Sequence, residues 1–221
     1  MDEVDLPAIV YRTIAQNWAL ARAIENKDRS RQNWRWTLQP QIGEANRSPE
    51  VMLERAIASA CASAGRSDWA NQVPVASGLV RGTADGRRAI DLIHRRSHGR
   101  YELIELKIAS DTPLYATVEL LGFASLWLLA RQHPPVTEPD ILQAVDVDLR
   151  VLAPAAFYAP FDLAALEKSV SRGVQLLGEH HQVGLTFAFD VLPARLVERP
   201  LPTGLTLMDT VAARASLHCG G

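Results

Sequence analysis

Apolar and polar residues follow two different periods along this chain, and the two periods separate predicted helices from predicted strands. Apolar residues spaced three and four apart predict helices, whereas strict alternation predicts strands. Helices are predicted over residues 6–27, 48–64, 112–131 and 161–180, with a short one near 208–215. Strands are predicted over residues 72–80, 88–94, 101–109, 147–152 (extended towards 158) and 183–191. This order predicts an α/β fold with a mixed central sheet flanked by helices on both faces.

Capping and turn residues support the boundaries of these elements. Ser48 followed by Pro49 is typical of a helix start, and Gly65 is typical of a helix end. Short turn sequences at residues 85–86 and 97–99 connect the first, second and third predicted strands. Links of this length favour antiparallel neighbours, so the first three strands are predicted to form a meander.

The hairpin between the second and third strands brings two acids together. Alternation places Glu105 and Lys107 on one face of the third strand. With the hairpin centred on His98, Asp91 lies opposite Glu105, and Ala89 lies opposite Lys107. Opposed carboxylates repel unless a cation lies between them, and a divalent metal beside Lys107 would remove the repulsion. The alternative is that Glu105 and Lys107 form an exposed ion pair and Asp91 is an ordinary strand-edge acid.

The composition is that of an ordinary soluble globular protein and narrows the function classes. The 221 residues are 48% hydrophobic and 22% charged, with a net charge of −2. This balance argues against a generally basic nucleic-acid coat but allows local basic patches. The sequence has no Gly-rich phosphate loop, no Cys/His zinc spacing and no nucleophile elbow. These absences disfavour nucleotide kinases, zinc nucleases and serine hydrolases.

The cysteines and the apolar segments predict a cytoplasmic protein without a membrane span. Cys61 and Cys219 show no paired-cysteine metal spacing and are interpreted as reduced thiols. The N-terminus lacks the basic and apolar regions of an export signal. The most apolar segment, residues 114–130, contains Glu119 and is short for a span, so a buried core helix is predicted.

The acids, the lysine and the element order together resemble a known family. Asp91, the Glu105-Leu106-Lys107 triplet and a preceding Glu-bearing helix, on an αβββαβ order, resemble the PD-(D/E)xK phosphodiesterase superfamily with its restriction-endonuclease-like fold. Ile90 stands where the motif's proline would be. The resemblance spans about residues 48–152 and implies a metal-dependent deoxyribonuclease that hydrolyses phosphodiester bonds with Mg²⁺, or Mn²⁺ in its place.

The resemblance also implies roles for individual residues. Asp91, Glu105 and Glu54 would be catalytic acids that hold the metal, and the backbone carbonyl of Leu106 would be a further ligand. A hard cation such as Mg²⁺ prefers oxygen ligands of this kind. Lys107 would orient or help to deprotonate the attacking water and stabilise charge on the phosphorane.

The identity of the helix acid is open between two glutamates one turn apart. Glu54 is favoured, because it lies deeper beside the core stripe of its helix. Glu50 has a sufficient explanation as a first-turn partner of the helix dipole. Glu50 is therefore predicted at the edge of the site. Glu119 is predicted there as well, since an acid in so apolar a helix needs a partner.

Arginines near the turns of the hairpin are the predicted nucleic-acid-binding group. They are Arg87, Arg88, Arg95 and Arg96. As a group they could hold a phosphate backbone, although for any one of them a solvated turn charge is the simpler interpretation. Trp34 and Trp36 could stack on bases, but stapling a loop to the domain is the default interpretation for such tryptophans.

The predicted organisation is one catalytic core with additions at both ends. Residues 1–47 form an N-terminal helical extension, residues 48–158 the nuclease core, and residues 159–221 a helix, a strand and a tail packed on the same domain. DNA is the predicted substrate, and a homodimer would allow paired cleavage of both strands. The alternative function is a catalytically silent module on the same fold that binds nucleic acid or protein.

Overall fold

Six strands pair side by side in the order in which they occur in the sequence. The computed structural model describes residues 5–25, 33–41, 48–75, 88–135 and 138–218. The strands are β1 (Trp69–Pro74), β2 (Ala89–Ser97), β3 (Arg100–Leu106), β4 (Asp146–Pro154), β5 (Gly184–Leu192) and β6 (Ala215–Ser216). β2 is antiparallel to β1 and β3, whereas β4 and β5 are parallel to β3, and β6 is antiparallel to β5. The sheet is therefore mixed and open, and it begins with the predicted meander.

Helices cover both faces of this sheet. They are α1 (Leu6–Glu25), α2 (Pro49–Ser63), α3 (Pro113–Gln132), α4 (Ala155–Tyr158), α5 (Ala164–His180) and α6 (Gly204–Ala212). α3 and α5 pack on strands on one side and carry α1 outside them, whereas α2 packs against β1 and α6. Leu103 belongs to the hydrophobic cluster that includes α3, and its neighbour Ile104 belongs to the cluster with α2. The predicted α/β architecture and the predicted alternation in β3 are confirmed.

The N-terminal helix packs on the same core as the later elements. Gly173 lets α5 approach the start of α1, since a Cβ atom at this glycine would lie 2.8 Å from Pro7 Cγ. Further along, the Ile14 side chain lies over Gly122 of α3. Trp18 is partly buried against the same cluster. Apolar contacts thus hold α1 across two helices that are themselves packed on the sheet.

α3 is the central helix of the core. In the part of the chain that the structure describes, α3 is the one helix whose length and composition would allow it to cross a membrane. Most of it is nevertheless buried within the protein, and Phe123 and Trp127 are inaccessible. That burial is typical of a core helix, which is what the sequence predicts for this segment. Thr112 caps its start, because the Thr112 hydroxyl oxygen accepts a hydrogen bond from the Tyr115 N–H at 3.2 Å.

Several element ends differ from the predictions. β1 begins at Trp69 rather than at residue 72, and residues 76–80 of the predicted strand lie outside the described residues. Residues 155–158, predicted to extend the fourth strand, form α4 instead. The short C-terminal helix starts at Gly204, and the two-residue strand β6 that follows it has too few residues to show a pattern.

The register of the β2–β3 hairpin is as predicted over most of its length. Leu92 pairs with Ile104, and the next three pairs keep the same register up to a bulge near Ser97. Continued by one residue, this register brings Asp91 level with Glu105. The predicted pairing of Ala89 with Lys107 is wrong, because β3 ends at Leu106 and the Lys107 N–H donates to the Leu152 carbonyl of β4 at 3.0 Å.

Short segments pair with β1 and with β5, near the two sides of the sheet. On one side the Trp34 N–H donates to the Pro74 carbonyl at 2.7 Å, and the Asn71 N–H donates to the Thr37 carbonyl at 3.2 Å. On the other side β6 pairs with β5. Trp34 is buried, and Trp36 donates from Nε1 to the Ser67 carbonyl. Both tryptophans therefore staple this segment to the domain, as the default interpretation held.

Candidate active site

Asp91, Glu105 and Lys107 meet at the end of the β2–β3 hairpin that lies away from its turn. Lys107 Nζ lies 2.8 Å from Glu105 Oε1. The Leu106 N–H donates to Asp91 Oδ2 at 2.9 Å, which ties the acid of β2 to the end of β3. Glu105 is 3% exposed and Lys107 8% exposed, while Asp91 is half-buried. The geometry thus brings together the three residues that the sequence singled out, in a largely buried setting.

Two further acids complete the surroundings of Lys107. Glu119 Oε2 lies 3.2 Å from Lys107 Nζ, and Asp111 Oδ2 lies 3.4 Å from it. Glu119, placed at the site edge by the sequence, thereby finds the partner that an acid in an apolar helix requires. The sequence does not indicate a role for Asp111, because it lies in a loop without periodicity. In the structure it is exposed and has a left-handed φ of 67°. The ring of Tyr115 lies 5.8 Å from the same ammonium group.

Glu54 of α2 reaches the same group through two amide side chains of β1. It is only 2% exposed, and its Oε1 accepts a hydrogen bond from Asn71 Nδ2. Its Oε2 accepts from Gln72 Nε2 at 2.8 Å, and that amide nitrogen also lies 3.5 Å from Asp91 Oδ1. Glu54 is therefore the helix acid that is linked to Asp91. Sequence reasoning missed both amides, although two adjacent amide residues in an otherwise apolar strand are a signal of a buried polar role.

Glu50 has a different function in the structure. Its Oε1 accepts hydrogen bonds from the Ile108 and Ala109 N–H groups, each at 3.1 Å, and from the Ser110 hydroxyl. Burial opposes its ionisation, but hydrogen bonds from the Ser48 hydroxyl and from the Ala109 and Ile108 N–H groups outweigh burial and lower the pKa of Glu50 to about 2. Glu50 thus fixes the loop that carries Lys107 and Asp111, at the edge of the site.

Replacing Glu50 by glutamine is expected to lower the free energy of unfolding at pH 7 by about 1 kcal/mol, because hydrogen bonds to a charged acceptor are lost. The folded-state pKa of Glu50 lies below its ordinary value, so its contribution is present above pH 4.5 and is lost as pH falls through about 2. Urea unfolding of the variant and the wild type at pH 7 and at pH 3 measures the difference in stability and its decrease in acid. Glu179→Gln, at an exposed position of α5, is the control and should change neither. Equal stabilities at pH 7 would contradict this role for Glu50.

Burial and neighbouring acids oppose the ionisation of Asp91 and Glu105. Burial raises the pKa of both Asp91 and Glu105. The negative charges of Glu54 and Glu119 raise the pKa of Asp91 further, and those of Asp91 and Glu119 raise the pKa of Glu105 further. Lys107 opposes these effects only in part. Burial lowers the pKa of Lys107, but Glu105 and Glu119 more than offset it and raise the pKa above its ordinary value. Burial thus opposes the ionisation of both acids, and Lys107 offsets that effect only in part.

The donor atoms suit a hard divalent cation with substrate and water as its other ligands. In the described parts of the chain, no three His, Cys, Asp or Glu side chains are arranged to hold a metal ion by themselves. Mg²⁺, however, usually takes one or two carboxylates and completes its shell with water and phosphate oxygens. Asp91 Oδ2 is committed to the Leu106 N–H, whereas Oδ1 has only the long contact with Gln72. Asp91 Oδ1 and Glu105 are therefore the donors that fit such an ion.

No protein-family model, no curated protein and no solved structure matches this chain. A functional assignment therefore rests on these residues and their geometry.

The predicted DNA-binding arginines are spread over two places. Arg88 lies at the site, with Nη1 3.3 Å from Glu119 Oε1. Arg95 and Arg96 lie towards the turn of the hairpin, about 13–17 Å from Asp91 along β2 at about 3.3 Å per residue. Arg96 contacts Glu102, and Arg95 lies over the ring of Trp36. Arg87 lies outside the described residues.

Proposed function

We propose that this protein is a metal-dependent deoxyribonuclease of the PD-(D/E)xK type, which hydrolyses phosphodiester bonds in DNA. The observation that carries the proposal is the convergence of Asp91, Glu105 and Lys107 at the end of β3, with Glu54 joined to Asp91 through Gln72. These residues come from three strands and one helix, so their meeting is a property of the fold and not of sequence spacing.

The topology supports the same proposal. α2 precedes a three-stranded meander, α3 follows it, and β4 then joins β3 in parallel. This is an αβββαβ order of the kind expected for a restriction-endonuclease-like core. The acids lie on the second and third strands of the meander, and the extra acid lies on the first helix of the core.

The residues divide the chemistry between them. Asp91 and Glu105 would hold Mg²⁺, or Mn²⁺ in its place, with the Leu106 backbone carbonyl as a further oxygen donor. Glu54, whose two oxygens accept hydrogen bonds from Asn71 and Gln72, would support Asp91 through Gln72 rather than bind the ion itself. When bound, such an ion supplies Lewis-acid activation of the scissile phosphate and of a water molecule. The raised pKa of Lys107 keeps its side chain protonated at neutral pH, because Glu105 and Glu119 outweigh the effect of burial. Lys107 therefore acts as a positive charge that stabilises the phosphorane and orients water, rather than as a general base.

A catalytically silent module that binds nucleic acid or protein is the second candidate. The observation that favours it is the saturation of Lys107 by three carboxylates, those of Glu105, Asp111 and Glu119. A silent module needs no exchange of these partners, whereas a nuclease must release part of Lys107 towards substrate phosphate. DNA as the partner, a cytoplasmic location and a homodimer for paired cleavage are parts of the nuclease proposal.

The purified protein incubated with linear, circular and single-stranded DNA is expected to cleave in Mg²⁺ or Mn²⁺ and to stop when EDTA is added. By the family resemblance, the products carry a 5′-phosphate and a 3′-hydroxyl, which ligation and end-labelling distinguish. DNA binding without cleavage at any concentration of either metal would favour the silent module. Light scattering of the same sample gives the oligomeric state.

A further inference from the structure

Gln72 has a backbone conformation that is unusual for its place in the fold. It lies inside β1, yet its φ is 47°, in the left-handed region that glycine adopts easily and side-chain-bearing residues do not. Such a conformation costs free energy and persists only where surrounding contacts determine it. A strained residue inside a strand and next to a group of buried acids points to a functional reason for the strain.

The strain changes the direction of the side chains on two neighbouring strands. In β1, Ala70 and Val73 belong to the same hydrophobic cluster, although residues three apart on a regular strand face opposite sides. In β2, Ile90 and Leu92 belong to different clusters, although residues two apart should share a face. Both breaks in alternation occur where Gln72 lies beside Asp91, between the ladder pairs on either side. The left-handed residue thus lies at the point where both strands re-aim their side chains.

The Gln72 side chain uses this direction to contact both acids. Its Nε2 donates to Glu54 Oε2 at 2.8 Å and makes a long hydrogen bond of 3.5 Å to Asp91 Oδ1. The other oxygen of each acid is held by a different group, Asn71 for Glu54 and the Leu106 N–H for Asp91. One amide therefore sets the separation of two carboxylates that would otherwise repel each other.

We propose that Gln72 is a positioning residue of the acid site, whose amide holds Glu54 and Asp91 in place and leaves Asp91 Oδ1 weakly bound and available to a divalent cation. This inference rests on the proposed function, since it concerns the same metal. The outer partners of metal-binding carboxylates fix ligand orientation, and their loss typically lowers metal affinity or activity about 10–100-fold.

Three variants separate positioning from a merely structural role. Gln72→Ala removes the amide and keeps the strain, whereas Gln72→Gly removes the amide and relaxes the strain. Gln39→Ala is the matched control, because it removes a neighbouring amide that donates to the Gln72 carbonyl at 3.4 Å and contacts neither acid. The hydrogen bond from the Gln39 backbone N–H to Asn71 is kept in this variant. Each variant and the wild type are titrated with Mn²⁺ alone by calorimetry, melted without metal, and assayed for kcat and KM on DNA.

The expected result is that Gln72→Ala and Gln72→Gly both bind Mn²⁺ about tenfold or more weakly than the wild type, while Gln72→Gly melts at a higher temperature than Gln72→Ala. kcat should fall in both at saturating DNA with little change in KM, and Gln39→Ala should match the wild type. Wild-type affinity in the two Gln72 variants would overturn the inference alone. A loss that follows melting temperature, larger in Gln72→Ala than in Gln72→Gly, would also overturn it. A wild-type protein that neither binds Mn²⁺ nor cleaves DNA would overturn the proposed function itself.

Discussion

Replacing Asp91 by asparagine is expected to lower DNA cleavage about 1000-fold and, in metal-free buffer at pH 8, to raise the free energy of unfolding by about 1–2 kcal/mol. Cleavage falls because an amide is a poor ligand for a hard divalent cation. Stability rises because the change removes a charge that burial makes unfavourable and that Glu54 and Glu119 repel, while an asparagine Oδ1 can still accept the Leu106 N–H. Lys107→Ala should abolish cleavage as well, but it should destabilise the protein, since it removes the cation that contacts Glu105 and leaves Glu119 with Arg88 alone.

The stability gain of Asp91→Asn should depend on pH in a defined direction. Because burial raises the folded-state pKa of Asp91, its charge costs stability only once pH exceeds the ordinary range of an aspartate. The difference between variant and wild type should therefore be small near pH 4 and grow as pH rises. Saturating Mg²⁺ should remove the advantage by stabilising the wild type alone. Urea unfolding across pH, with and without Mg²⁺, measures all three effects.

Asp111→Asn is the matched control for Asp91→Asn. It makes the same chemical change in an acid that also lies near Lys107 Nζ but is exposed, and asparagine accepts the left-handed φ at this position. Cleavage and stability should both stay near the wild-type values. Full cleavage by Asp91→Asn, or a loss of activity accompanied by a loss of stability, would contradict a metal-binding role for Asp91.

The largest expected loss of stability lies away from the acid site, at Arg214. Its Nη2 lies 2.7 Å from Glu102 of β3, and its Nε lies 3.1 Å from Asp190 of β5. Both acids are buried. Removal of one partner from a buried ion pair leaves an uncompensated charge, which typically costs about 3–5 kcal/mol. Arg214→Met should therefore lower the free energy of unfolding by up to that amount, because His94 and Arg96 still contact Glu102 while Asp190 loses Arg214. Urea denaturation at pH 7 measures the loss.

Arg96→Met tests whether burial is the cause. Arg96 Nη1 also contacts Glu102, at 3.6 Å, but the Arg96 side chain is 56% exposed whereas that of Arg214 is 11% exposed. An exposed pair contributes about 0–1 kcal/mol, so this variant should be almost as stable as the wild type. Comparable losses in the two variants would show that charge number and not burial decides the effect.

The contribution of Arg214 should also vanish in acid. Burial opposes the ionisation of Glu102, but hydrogen bonds and charges from His94 and Arg214 outweigh burial and lower the pKa of Glu102 to about 2. The stability that Glu102 contributes is therefore present above its ordinary pKa and is lost as pH falls through about 2. The difference between Arg214→Met and the wild type should shrink over the same range.

The elements that carry the site were predictable because their signals are local. The start of α2 at Pro49, the turn at Gly99 and the alternation of Leu103 and Ile104 depend on neighbours in sequence, and each has its predicted place in the structure. The end of β3 was not predictable, because Ile108 continues the alternation. Glu50, from a helix 58 residues earlier, takes the Ile108 N–H and turns it away from the ladder.

The supporting residues could not be found by pattern, because their partners are distant or their backbone is exceptional. Gln72 contacts Glu54 across 18 residues and depends on a left-handed φ. Arg214 contacts Glu102 across 112 residues and depends on the position of α6 relative to the sheet. A single sequence therefore indicates the acids of the candidate site better than the groups that hold them, since a single buried amide or arginine does not belong to any periodic pattern.

The pairing of residues 34–37 with β1 and of β6 with β5 bears on how two copies of this protein could associate. An open sheet usually presents a row of free N–H and C=O groups at each edge, which invites pairing with the edge of another chain and, in the extreme, aggregation. Here residues 34–37 take hydrogen-bonding groups of β1, and β6 takes those at one end of β5. Pairing of a second chain with these groups is thereby obstructed, which favours helices or loops as the contact in a dimer of the proposed nuclease.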